Sequence, residues 1–272
     1  MKKFLCALAV VFLSASLAAA AEISSTSIGF LTRLNTSDTE FARIIQNSDI
    51  AAGQQLVSSR HQLYGVKFYD SLLTMQMALA RGEIDEVALQ EVAANYIMKV
   101  NPEFEICCTA KTRSPMALAF GFRKDKADLV SRFNRALRAM EGDGTLAELQ
   151  GKYIYSDEPA KPITFDTFPD AETISVAVTG DIPPIDYIDE GGEPAGFNTA
   201  LLAELGRRMS ANMKLVNIEA GARTAALVSG RVDVVFWYET IQGYANSYDA
   251  AEGVLLSDPY YQWNTFLHLK KK

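Results

Sequence analysis

The side chains with the most chemical potential are two adjacent thiols, Cys107 and Cys108, and two imidazoles, His61 and His268. Neighbouring residues on a strand point to opposite faces, so the first reading of the Cys pair is two small buried hydrophobes. In an oxidising compartment the alternative is a strained vicinal disulfide. Both His are remote in sequence from the Cys pair and from each other, so no metal and no cofactor is expected. Two acids recur in one setting, Gly82-Glu83-Ile84-Asp85 and Gly230-Arg231-Val232-Asp233, each between an amphipathic helix and an apolar strand. The Gly stops the helix and the Asp bonds the turn, so these acids are scaffold, and the repeat suggests two similar lobes. After the second acid comes Trp237-Tyr238-Glu239-Thr240. Strand alternation sends one ring of Trp237 and Tyr238 to the core and the other outward. Glu239 is read as a solvated loop acid, with a cation acceptor as the alternative. Asn35-Thr36-Ser37 is at least a helix cap.

The elements that position these residues alternate between strands and helices. Strands are expected at 27–32, 65–69, 84–89, 104–108 and 115–122. Helices are expected at 39–48, from Asp70-Ser71 to Arg81-Gly82, and at 92–98, 128–141 and 146–153. Residues 156–171 are rich in Pro and Asp and read as a surface linker. Beyond them come a strand at 174–178, a turn Thr179-Gly180-Asp181-Ile182-Pro183-Pro184, and a polar hairpin-like stretch at 189–193. A helix at 198–209, a strand at 214–218, a helix at 222–228 and a strand at 232–237 follow. This spacing predicts an α/β sheet, parallel or mixed.

With 272 residues, 49% hydrophobic and 22% charged, the chain is globular and long enough for one large or two modest domains. Its formal net charge of −7 argues against nucleic acid or anionic lipid as a partner. Lys2 and Lys3, the apolar run 4–17 and the small residues 18–21 form a signal peptide, residues 1–21, and imply secretion to the periplasm. No later apolar run is long enough to span a bilayer.

The ordered features 68–71 (Phe-Tyr-Asp-Ser), 82–85, 118–124 (Leu-Ala-Phe-Gly-Phe-Arg-Lys) and 143–153 resemble the second lobe and closing helices of the family 3 extracellular solute-binding proteins of amino-acid importers. Residues 173–261, from Thr173 through Pro183-Pro184 to Ser257-Asp258-Pro259-Tyr260-Tyr261, resemble that family's first lobe. The resemblance implies an α/β, two-lobed fold of the type II periplasmic binding protein kind with its lobes in permuted order. Residues 22–113 are then lobe two, residues 114–272 are lobe one, and 156–171 joins the usual termini. One crossing strand stays covalent near 115–122. The other is expected as two stubs, 263–272 and 22–26, that pair in the hinge.

By the same resemblance the ligand candidates are Asp181, Tyr187, Trp237, Tyr238, Glu239 and Thr240 from lobe one, and Arg33, Asn35, Thr36, Ser37 and Gln90 from lobe two. The family's carboxylate-gripping Arg has no counterpart after Arg231, leaving Arg33 or Arg223 to substitute. Gln90 stands where an amine-binding acid is expected, with Glu91 beside it. The function implied is non-catalytic capture of a small polar solute, an amino acid or related compound, for the membrane component of an ABC importer. The protein is expected as a monomer or a lobe-swapped dimer. The competing classes are a sensory or orphan module with an altered pocket, and an enzyme like the cyclohexadienyl dehydratases that share the scaffold.

Overall fold

A computed structural model describes residues 26–31, 65–156, 163–241 and 251–272. The helix expected at 39–48, the signal peptide, and the candidates Arg33, Asn35, Thr36 and Ser37 lie outside the described residues. The strands in chain order are β1 (Ser27–Leu31), β2 (Gly65–Tyr69), β3 (Glu86–Gln90), β4 (Phe104–Arg123), β5 (Thr173–Val178), β6 (Asp181–Ile182), β7 (Asp186–Ile188), β8 (Pro194–Ala195), β9 (Asn212–Asn217), β10 (Val234–Ile241), β11 (Val254–Leu256) and β12 (Tyr261–Lys271). The helices are α1 (Leu72–Ala80), α2 (Glu91–Val100), α3 (Ala127–Gly142), α4 (Thr145–Tyr153), α5 (Phe197–Met209) and α6 (Arg223–Val228).

One mixed sheet runs β2-β1-β3-β12-β4-β10-β5-β9, with β11 on β4, and a small sheet holds β6-β7-β8. The parallel strands β2, β1 and β3 form one lobe, the first in chain order, and the parallel β10, β5 and β9 form the other, the second. Between them the long antiparallel pair β4 and β12 passes through both. Each lobe has its own core. Leu72, Met75, Ile84, Val87, Ile97 and Leu269 fill one. In the other, α3 buries Leu129, Phe133, Leu137 and Met140 at helical spacing. There Phe133 meets Phe120 and Phe122 edge-on, at 5.3 and 5.0 Å.

Two expectations are corrected here. The strands expected at 104–108 and 115–122 are one strand of 20 residues. Its ladder to β12 is interrupted: Thr265 pairs with Lys111 and Trp263 with Met116, so residues 112–115 lie opposite a single β12 residue. Pro115, which has no amide to donate, falls in this irregularity. The second crossing element is also not a stub. Strand β12 pairs with β4 from Tyr261–Leu118 to Lys271–Phe104 and with β3 at residues 266–269. Residues 22–25 of the other supposed stub lie outside the described residues.

The run Ser257-Asp258-Pro259-Tyr260 fastens the start of β12. The Ser257 amide donates to the Phe120 carbonyl at 3.0 Å, and the Phe120 amide to Ser257 Oγ at 2.9 Å. Asn134 Oδ1 accepts the Asp258 amide at 2.7 Å, and Arg138 pairs with the Asp258 carboxylate. The apolar strand residues make the sheet, and this polar corner fixes where its crossing strand begins.

Candidate functional site

The lobes meet where the turn after β5 faces the start of α1. Ser71 caps α1, its Oγ accepting the Thr74 amide at 3.2 Å. From the other lobe Asp181 takes a backbone hydrogen bond from Leu72, the first residue of that helix. A carboxylate suits a helix N-terminus, where free N–H groups converge. Asp181 is nonetheless raised to about 6, because burial disfavours its charge and Asp186 lies near. Arg223 opposes both effects.

Asp186 is wholly buried and shapes this turn. Its Oδ2 accepts the Thr179 and Gly180 amides at 3.1 and 3.2 Å. Burial pushes its carboxyl up, while those two amides and Arg223 pull it down. Arg223, at the start of α6 and 1% exposed, is thus a buried cation facing two acids. Oδ1 of Asp181 and of Asp186 and Oγ1 of Thr179 are buried without a protein hydrogen-bond partner, as is Oε1 of Gln90 at the end of β3. Such groups call for a water or a ligand.

Beside this junction is a cavity of about 1140 Å³ with walls from both lobes. Glu91, Tyr96 and Lys99 of α2 form one wall, and Tyr187 with the 188–191 turn the other. Tyr261 and Trp263 of β12 also line it. The rings of Tyr96 and Tyr187 are 6.3 Å apart across the gap. Of the ligand candidates read from the sequence, Tyr187 lines this cavity, and Asp181 sits at the neighbouring junction. Glu91, not Gln90, presents the acid.

Tyr238 is corrected to a core residue. It is fully buried, its OH lies 3.2 Å from Thr224 Oγ1, and its ring fills the space a Cβ on Gly121 would need. Glu239 is not a loop acid in solvent: β10 runs on to Ile241, and Glu239 is 4% exposed. Thr240 Oγ1 donates to the Ala117 carbonyl at 3.4 Å, within the sheet. Trp237 sits at the register shift between Val235 and Tyr238. Sequence reasoning missed Tyr96, Tyr261 and Trp263. The alternation of aromatics at 261 and 263 was the available signal, and treating this segment as a stub concealed it.

A second polar cluster lies within the sheet of the first lobe. Glu86 Oε2 is 3.0 Å from His268 Nδ1, and Cys107 Sγ donates to the His268 carbonyl at 3.3 Å. Hydrogen bonding to Cys107 lowers Cys108 to about 5, and His268 acts in the same direction. Burial works against the His268 imidazolium, but hydrogen bonds to Cys108 and Glu86 prevail and raise it to about 9. The bond to Cys108 and burial both push Cys107 up. The expected separation of the thiols fails because the ladder slips between His268 and Leu269. Cys108 pairs with His268 and Ile106 with Leu269, leaving Cys107 as the extra residue of a bulge.

Residues 174–272 match the family model described as bacterial extracellular solute-binding proteins, family 3. No curated protein sequence matches the chain. Among solved structures it is similar to the methionine binding protein MetQ, at 10% identity and a TM-score of 0.44, over 92% of this chain and 84% of that one. It is similar to the ligand binding component of an ABC-type import system from Staphylococcus aureus with zinc bound, at 10% identity and 0.45, over 91% and 66%. It is also similar to the periplasmic aliphatic sulphonate binding protein SsuA from Escherichia coli, at 15% and 0.42, over 91% and 65%. The fold is a mixed α/β sheet with a parallel lobe on either side of the β4–β12 pair, and residues 174–272 match the solute-binding family's model. Among the described residues no helix is long and apolar enough to cross a membrane.

Proposed function

We propose that the protein is a non-catalytic periplasmic solute-binding protein that captures a small polar solute, an amino acid or related compound, for an ABC-type importer. The observation that carries this reading is the cavity walled by both lobes, with Tyr96 and Tyr187 facing across it and charges of both signs around it (Glu91, Lys99, Lys152, Asp189). A polar pocket at a lobe junction is the usual place for a small ligand. Hinged lobes closing on it couple binding to shape. In this reading residues 22–113 and 114–272 correspond to the family's two lobes in permuted order, with the end of β12 reaching back to pair with β3. Either a monomer or a dimer exchanging lobes fits that arrangement, and light scattering at high concentration separates the two.

The test is a thermal-shift panel of amino acids, amines, dicarboxylates and short peptides, followed by calorimetry on any hit. A true ligand at one hundred times its Kd stabilises by about 2.7 kcal/mol. Tyr187→Ala is expected to weaken that ligand's binding. Silence across the panel sinks the importer reading. It favours a second one, a sensory or orphan module, for which the self-made contact of Asp181 with the α1 N-terminus speaks.

A further inference from the structure

The geometry points to a binding site for a soft divalent cation such as Zn2+ in the sheet of the first lobe, with Cys107, Cys108 and Glu86 as ligands and His268 orienting Glu86. The three ligand atoms lie within 4.8 Å of one another. A tetrahedral Zn2+ takes sulfur at about 2.3 Å and carboxylate oxygen at about 2.0–2.2 Å, so its ligands stand somewhat under 4 Å apart. The cluster therefore needs only a small contraction. Two thiols and a carboxylate favour a borderline-soft ion over Ca2+ or Mg2+, which prefer oxygen. Three protein ligands leave the fourth position for water.

The backbone builds this cluster. The residues come from three adjacent strands, Glu86 on β3, His268 on β12, and the Cys pair on β4. His268 pairs with Ala88 on one side and Cys108 on the other, and Glu86 shares the face of Ala88, two residues away. The bulge at Cys107 lets both thiols serve one ion, which regular alternation forbids. His268 is 2% exposed and its Nδ1 sits 3.0 Å from Glu86 Oε2. Such a bond fixes the orientation of a ligating carboxylate. This site lies apart from the cavity between the lobes, so it stands or falls independently of the solute reading. A bound ion would clasp β3 and β4, the two neighbours of the crossing strand β12, on binding releasing the thiol protons to solvent.

The full chain, reduced and then freed of reductant, is titrated with Zn2+ and separately with Cd2+. One ion per chain is expected to survive desalting, Cd2+ to give the ultraviolet thiolate charge-transfer band, and Zn2+ to raise Tm. Cys107→Ser with Cys108→Ser is expected to abolish all three. His268→Gln is expected to weaken binding by about 10- to 100-fold without changing the stoichiometry. Alkylation of the unmodified protein provides a readout that needs no variant: Zn2+ is expected to shield both thiols. Absence of stoichiometric binding, binding unaltered in the double variant, no shielding, or a Cys107–Cys108 disulfide that re-forms under excess Zn2+ each overturns the proposal.

Discussion

The two lobes close their sheets with the same clasp and then diverge. In the first, Ser27 donates its amide and hydroxyl to Asp85 Oδ2, both at 2.8 Å, and the Asp85 amide returns a bond to Ser27 Oγ at 3.1 Å. In the second, Ser175 does the same to Asp233 Oδ2 at 3.0 and 2.7 Å, with the Asp233 amide back to Ser175 Oγ at 3.1 Å. The separation is 58 residues both times. Before each clasp the helix ends alike, on Gly82 at φ 72° and Gly230 at φ 77°. What differs is where polar chemistry is buried. The second lobe hides it in Asp181 and Asp186 after β5 and in Arg223 at the start of α6, beside the junction with the other lobe. The first hides it on the sheet itself, in Glu86, the Cys pair and His268. One scaffold unit thus leaves both its loop ends and its strand faces free to carry chemistry.

The comparison breaks most violently at the close approaches of glycine. A Cβ on Gly121 would stand 2.0 Å from the Tyr238 ring, a rigid and fully buried group. In the first lobe, a Cβ on Gly29 would stand 2.7 Å from Ile84 Cδ1, the far end of a flexible chain. Gly121→Ala is expected to cost about 3 kcal/mol or more and Gly29→Ala about 1 kcal/mol, by urea unfolding. Equal losses would show that the second lobe is no more tightly packed at this point than the first.

Next in size is a pH effect confined to the second lobe's buried turn. The folded carboxyl of Asp181 is raised to about 6 from 3.8, so the folded state holds its proton more tightly than the unfolded chain. Its stabilising contribution is complete below about 4 and is lost as pH rises through about 6. A shift of this size corresponds to about 2–3 kcal/mol. Asp181→Asn, which cannot ionise, is expected to flatten the stability profile between pH 4 and 6 and to be the more stable chain at pH 7. A profile unchanged by the substitution means that the lobes open enough in solution to hydrate Asp181.

How much of this was legible follows from range. The α1 start at Asp70-Ser71, the Gly82 stop, the amphipathic α3 and the scaffold role of Asp85 and Asp233 are set by neighbours a few residues away, so the sequence displayed them. The Cys108–His268 pairing spans most of the chain, and a one-residue bulge decides where both thiols point. No local pattern reports either. Glu239 was misplaced for a related reason: β10 extends past its apolar run because β4 continues to pair with it. The cavity was legible only as a resemblance, since its walls come from α2, residues 152–156, the 184–191 stretch and β12, four segments apart in sequence.

The finest distinction between the lobes is the strength of the shared clasp. Asp233 has 27% of its side chain exposed and is also paired with Lys126 at 3.4 Å, whereas Asp85 is exposed. Despite burial, the bonds from Ser175 hold Asp233 below its ordinary value, and those from Ser27 do the same for Asp85. Both therefore add stability that is present above about pH 4 and is lost as pH falls below it. Removing the acid strands the Ser hydroxyl and amide more completely where water is scarcer. Asp233→Ala is expected to cost about 2 kcal/mol and Asp85→Ala about 0.5–1 kcal/mol, each losing its share in acid. Equal costs at neutral pH would mean that the geometry of the clasp, rather than its burial, sets its worth.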